Sequence, residues 1–200
     1  GQDIYHPAYD VTALRRRVAE LPQEQAAVLR KAYLEEKTHD AIARELKLDD
    51  DEVEDVWFAA RVHDIGKVSI PSDILSAPRS LSPVEMKLMQ EHPTIAYEIL
   101  DSVSLRYPIA ELVLQHHERL DGSGYPRALA GDDILPGARI LAVADVLEAM
   151  ASHRPYRPSL GIEAAVDEIT KGRGSLYDAD VVDCCVELMA SGYSFDDGML

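Results

Sequence analysis

The sequence predicts an all-α fold, a helical bundle with a small helical module in front of it. Three observations carry that prediction. Apolar residues recur at three- and four-residue spacing along nearly the whole chain, as in Leu14, Val18 and Leu21 or Val53, Val56 and Ala60; this spacing gathers them on one face of a helix. No segment alternates apolar and polar residues for long enough to read as a strand. Helix punctuation is explicit at Ser82-Pro83-Val84-Glu85, a capping box with proline at the first helical position.

Taken in order, Leu14, Val18 and Leu21 share one helical face, and Val28, Leu29 and Tyr33 continue one after Pro22. Ile42 and Leu46 mark a third short helix. Asp49, Asp50 and Asp51 form an acidic first turn, suited to the positive end of a helix dipole, for a helix running through Val53, Val56 and Ala60 to His63. Beyond the capping box, helices are expected near 94–103, 108–117, 136–152, 162–171 and 179–190. Residues 121–126 and 131–133 read as loops whose glycines provide special backbone geometry. The expected boundary separates an N-terminal module, residues 1–48, from a larger domain, residues 49–200.

Composition narrows the function. A chain of 200 residues with 46% hydrophobic and 28% charged side chains has enough apolar material for a core and is not a disordered tail. Its formal net charge of −16 repels nucleic acid and anionic lipid, so DNA is disfavoured as a partner. A phosphate-bearing ligand must instead be met locally, by a metal and a few placed cations. No apolar run approaches the roughly 18 residues of a membrane span. The two cysteines, Cys184 and Cys185, are neighbours and make no disulfide framework, which leads to a cytoplasmic expectation.

The residues with chemical content are spread over the larger domain. His63-Asp64-Ile65-Gly66-Lys67 ends an apolar helix, and a histidine and aspartate adjacent at a helix end can reach one metal. His92 precedes Pro93, His116-His117 closes another helix, and Asp145 sits inside the apolar run 140–147. A carboxylate in such surroundings is costly unless a cation or strong donor pairs it. Taken singly, a histidine at a helix end is more often a cap or a surface group than a ligand, and His6, His39 and His153 are read that way. In combination, four histidines and two carboxylates suit a borderline metal such as iron, manganese, zinc, nickel or cobalt rather than a calcium cage. Six ligands also suffice for two ions sharing an aspartate, the arrangement that clamps both oxygens of a phosphodiester displacement.

His63-Asp-Ile-Gly-Lys67 followed by His116-His-Glu-Arg-Leu-Asp-Gly-Ser-Gly-Tyr-Pro126 resembles the HD-GYP subgroup of the HD phosphohydrolase superfamily. The resemblance covers roughly residues 50–200 and includes Ile70-Pro71, Ala142-Val-Ala-Asp145 and Ser152-His-Arg-Pro-Tyr-Arg157. It implies an HD-type helical bundle and a metal-dependent phosphodiesterase that hydrolyses cyclic di-GMP to linear pGpG or GMP. It further implies one or two divalent transition-metal ions, iron or manganese foremost, held by His63, Asp64, His92, His116, His117 and Asp145, with Asp64 as the bridge. Lys67 then corresponds to the lysine at the scissile phosphate, and Asp64 and Lys67 to the catalytic pair. Tyr125, with Gly124 beside it, corresponds to the substrate-positioning loop, and Arg154 and Arg157 to cations for guanine or phosphate. Arginine offers the forked geometry that both groups accept.

One departure from the pattern bears on turnover. An earlier helix in the family usually supplies another histidine, sometimes with a glutamate one turn before it. Those positions fall near Lys31 and Ala27, and neither side chain suits such a site. Residues 14–61 resemble instead region four of a bacterial sigma factor, a helix-turn-helix, through residues 18–25, 32–36 and 42–46 with Val53 and Trp57. The would-be recognition segment, residues 49–55, carries six carboxylates and no cation, which opposes DNA binding. The expected alternative is therefore a catalytically weakened module that binds a cyclic dinucleotide or docks signalling proteins through the N-terminal module or the Gly-Tyr-Pro loop. A homodimer is compatible with either reading.

Overall fold

The computed structural model describes residues 46, 50–103, 105, 108–151 and 160–190. The N-terminal module, apart from Leu46, and the segment holding Arg154 and Arg157 lie outside the described residues. Helix α1 spans Asp50–Val62 and is followed by a 3₁₀ turn, Ile65–Ser69. Then come α2 (Ser72–Leu75), α3 (Pro83–Met89), α4 (His92–Asp101) and α5 (Ile109–Gln115). A second 3₁₀ turn, Gly131–Asp133, precedes α6 (Pro136–Ala151), α7 (Ile162–Lys171) and α8 (Ala179–Ala190). Among the described residues the only β pairing is two isolated bridges, Asp121 with Ala130 and Arg173 with Tyr177.

Helix α6 is the axis of the bundle because its sequence is apolar nearly all round. Ile140, Leu141, Val143, Ala144 and Leu147 are all buried, as a helix enclosed by neighbours requires. It packs against α1, α5, α7 and α8, while α4 packs against α5 and the first 3₁₀ turn. The shared core runs from Val53 and Val56 through Leu100, Ile109 and Val113 to Ile169 and Val182. Cys184 and Cys185 are buried within it. No helix among the described residues is long and apolar enough to cross a membrane.

The helices read at 162–171 and 179–190 are found at those residues. The others move in ways that have causes. Helix α4 begins at His92 rather than two residues later, because Pro93 falls in its first turn, where a missing N–H costs nothing. Helix α5 stops at Gln115 with His116 as its C-cap, and α1 stops one residue short of His63. The capping box is complete: Ser82 Oγ accepts from the Glu85 N–H, and Glu85 accepts from the Ser82 N–H.

Candidate metal centre

Three of the four site histidines follow the last residue of a helix by one to three positions, and each does two things. Nδ1 of His63, His92 and His116 lies 2.5–2.7 Å from the carbonyl oxygen three residues earlier, those of Ala60, Met89 and Val113. These carbonyls belong to the last turns of α1, α3 and α5, where no intrahelical N–H remains to meet them. A carbonyl only accepts, so Nδ1 must carry the hydrogen and Nε2 of the neutral ring presents its lone pair. The cap thereby fixes both tautomer and aim, the arrangement that holds metal-ligating histidines.

The Nε2 atoms point inward, with His63, His92 and His116 at most 2% exposed. His92 Nε2 lies 3.4 Å from His116 Nε2 and 3.4 Å from Asp64 Oδ1. His63 Nε2 faces Asp64 Oδ2 at 3.7 Å and Asp145 Oδ1 at 4.0 Å, beyond hydrogen-bond reach. Asp145 turns its other oxygen to His117 Nδ1 at 3.8 Å. Each carboxylate therefore stands between two imidazoles: Asp64 between His63 and His92, Asp145 between His63 and His117. Two trios, His92–His116–His117 and His63–Asp64–His116, bring their donor atoms within 4.8 Å of one another.

Electrostatics keep His92, His116, His117 and Asp64 in ligand form. Burial pushes the His116 and His117 imidazoles well below the usual histidine range, and neighbouring histidines push the same way. Burial also lowers His92, against an opposing pull from Asp64. Asp64 is raised by burial, but Lys67 and the surrounding imidazoles outweigh that and hold it well below the usual carboxylate range. Burial thus favours neutral imidazoles at His92, His116 and His117, while the Lys67 ammonium leads in keeping Asp64 ionised. Imidazole lone pairs 3.4 Å apart repel unless a cation lies among them, so this donor set fits a metal ion.

The 3₁₀ turn after Asp64 explains the rest of the first motif. Residues three apart are eclipsed in a 3₁₀ helix, so Lys67 lies over Asp64 and its ammonium bonds Asp64 Oδ2. Gly66 is needed because the turn presses against α4: a Cβ there would lie 1.9 Å from the His92 carbonyl oxygen and 2.7 Å from the Ala96 nitrogen. That contact sets the Asp64 to His92 spacing.

Tyr125 lies on the His117 ring, centroids 4.7 Å apart and planes at 31°. Burial and Asp145 push its hydroxyl above the usual tyrosine range, so it stays protonated. Gly124 serves the loop's packing, for its Cβ would fall 2.4 Å from the Glu118 Cα. The structure thus gathers His63, Asp64, Lys67, His92, His116, His117, Tyr125 and Asp145 in one place. Sequence reading passed over Glu118, a 2% exposed carboxylate in the second motif that accepts from the backbone N–H groups of Arg127 and Leu129. Its position inside the motif was the available signal.

The chain is 43% identical over 156 residues to the cyclic di-GMP phosphodiesterase response regulator RpfG of Xanthomonas campestris, covering 76% of this chain and 41% of that protein. It is 43% identical over 151 residues to a cyclic di-GMP phosphodiesterase of Thermotoga maritima, covering 74% and 40%. The chain therefore spans about two fifths of these relatives. The solved structure of Bd1817, an HDG"Y"P protein from Bdellovibrio bacteriovorus, superposes with a TM-score of 0.67 at 17% identity, over 80% of this chain and 51% of that one. The profile of the HD domain family matches residues 15–181, and with the His-Asp pair, the Gly-Tyr-Pro loop and the helical bundle in place, the chain belongs to the HD domain family in its HD-GYP form.

Proposed function

We propose that this chain is the catalytic domain of a metal-dependent phosphodiesterase that hydrolyses cyclic di-GMP to linear pGpG or GMP. The observation that supports it most is the convergence of imidazole lone pairs and two straddling carboxylates on one buried point, with a lysine fixed beside it. His63, Asp64, His92, His116, His117 and Asp145 would hold one or two divalent transition-metal ions, iron or manganese first, with Asp64 shared. When bound, such ions supply Lewis-acid stabilisation of phosphate oxygens and acidify water.

The chain's own residues do the remainder. Lys67, anchored on Asp64, supplies a cation at the edge of the cluster for the scissile phosphate. Tyr125 offers a protonated hydroxyl as a donor to the substrate, and the tightly packed Gly124 holds that residue in place. Arg154 and Arg157 would supply forked cations for guanine or phosphate, which an otherwise acidic protein needs for an anionic ligand.

The test is the release of pGpG or GMP from cyclic di-GMP by the metal-loaded chain, with mixed and adenine cyclic dinucleotides run alongside. Turnover that vanishes in His63→Ala and Asp64→Ala is the expected result; a chain loaded with iron or manganese that leaves every cyclic dinucleotide intact refutes it. One sequence observation favours a second reading. Lys31 stands where the family usually has a histidine ligand, which supports a module that binds the dinucleotide, or docks a signalling partner, with little turnover. Nucleotide binding retained without hydrolysis would decide for that reading.

A further inference from the structure

Three site histidines are aimed by helix carbonyls, but His117 is not. It turns Nδ1 toward Asp145 at 3.8 Å, the very atom the others give to a carbonyl. Its ring is held among other rings instead: His116 at 4.0 Å and 39°, Tyr125 at 4.7 Å and 31°, and His92 edge-on at 5.0 Å and 84°. Building on the metal-centre reading above, we infer that Glu118 is a positioning residue that closes the following loop into a clamp, pressing the Tyr125 ring onto His117 and so aiming this ligand.

The loop's bonds run that way. The Tyr125 N–H donates to the His117 carbonyl at 3.3 Å, and the Gly122 N–H to the Arg119 carbonyl at 2.8 Å. Asp121 accepts from the Ser123 N–H at 2.9 Å. At the far side, the Gly131 N–H reaches the Leu120 carbonyl at 2.9 Å. Gly124 touches the backbone of Glu118 and Arg119 so closely that no side chain fits.

Glu118 ties the returning strand of this loop. Its Oε1 accepts from the Arg127 N–H at 2.7 Å and its Oε2 from the Leu129 N–H at 3.0 Å. Between those donors Ala128 has φ of +53°, a left-handed conformation that a residue with a Cβ adopts only when its surroundings impose it. Alternation of hand across such a segment turns nearby N–H groups toward one anion, and here the anion is the Glu118 carboxylate. Because Glu118 directly follows His117, the bond that closes the loop and the ring it presses share one stretch of backbone.

The test uses the full chain and Mn²⁺ alone, with affinity and stoichiometry measured by calorimetry and elemental analysis, and the melting temperature of the metal-free protein recorded for each variant. Glu118→Gln replaces one acceptor oxygen with a donor facing an N–H. It should weaken Mn²⁺ binding roughly 10- to 100-fold, the usual effect of losing a group that orients a ligand. Tyr125→Leu should do the same, while Tyr125→Phe keeps the ring and should bind as wild type does. Should Glu118→Gln fail to fold, the two Tyr125 variants still decide. Wild-type affinity in either Glu118→Gln or Tyr125→Leu overturns the inference and leaves the proposed function standing; so does equal weakening in Tyr125→Phe and Tyr125→Leu. A wild-type chain that takes up no Mn²⁺ overturns the metal-centre reading and this inference with it.

Discussion

Gly66→Ala should cost both stability and function through one contact. The added Cβ would sit 1.9 Å from the His92 carbonyl oxygen and 2.7 Å from the Ala96 nitrogen, inside the first turn of α4. Both are backbone atoms of a packed helix, so no rotamer change relieves the clash; the 3₁₀ turn and α4 must separate by about 1 Å or more. Overpacking of this kind costs on the order of 1–3 kcal/mol, readable as a lower urea midpoint with an unchanged slope. The same displacement widens the 3.4 Å approach of Asp64 to His92. A misplacement of about 1 Å is enough to cost roughly 100-fold in rate. Urea titrations of the metal-free chain, paired with phosphodiester hydrolysis by the loaded chain, read both effects. A variant with the wild-type midpoint and rate would show that the turn does not set the spacing of the site.

Further outcomes follow from the same geometry. His63→Ala and Asp64→Ala should each abolish hydrolysis; His63→Ala should also lower metal-free stability, by about 1 kcal/mol, because it removes the bond to the Ala60 carbonyl. The folded-state pKa values of His92, His116 and His117 lie below their unfolded values, so the unfolded chain binds more protons. Metal-free stability is then complete above about pH 6.5 and falls as pH drops below it. Melting temperatures measured from pH 7.5 to 5 check that sign; a flat profile contradicts it. Ser82→Ala removes half of the α3 capping box and should cost about 1 kcal/mol in urea titrations while leaving hydrolysis unchanged.

Much of this was legible in the sequence because the signals were local. Helix α6 announces itself by an apolar run broken at Asp145, and α3 by its capping box. The motif histidines were visible too, but a histidine at a helix end reads as a cap when taken alone. That reading and the ligand reading turn out to be one arrangement, with Nδ1 closing the helix and Nε2 facing the cluster. What the sequence hid depends on distant contacts. The need for Gly66 arises from a backbone 26 residues away, at His92, and Glu118 works on Arg127 and Leu129 across a loop whose hand reverses at Ala128. No periodicity encodes such pairings. The expected positions near Ala27 and Lys31, with Arg154 and Arg157, lie outside the described residues.

The six candidate ligands come from four separate stretches of chain, at residues 63–64, 92, 116–117 and 145, on or beside different helices. An ion held among them would act as a reversible crosslink between those stretches. Ligand binding to the folded state alone adds about 2.7 kcal/mol when the free ion stands at a hundred times its dissociation constant. For a protein of ordinary stability that is a substantial share of the whole. The lifetime of the folded domain, and hence its resistance to proteolysis, would then rise and fall with the supply of the ion.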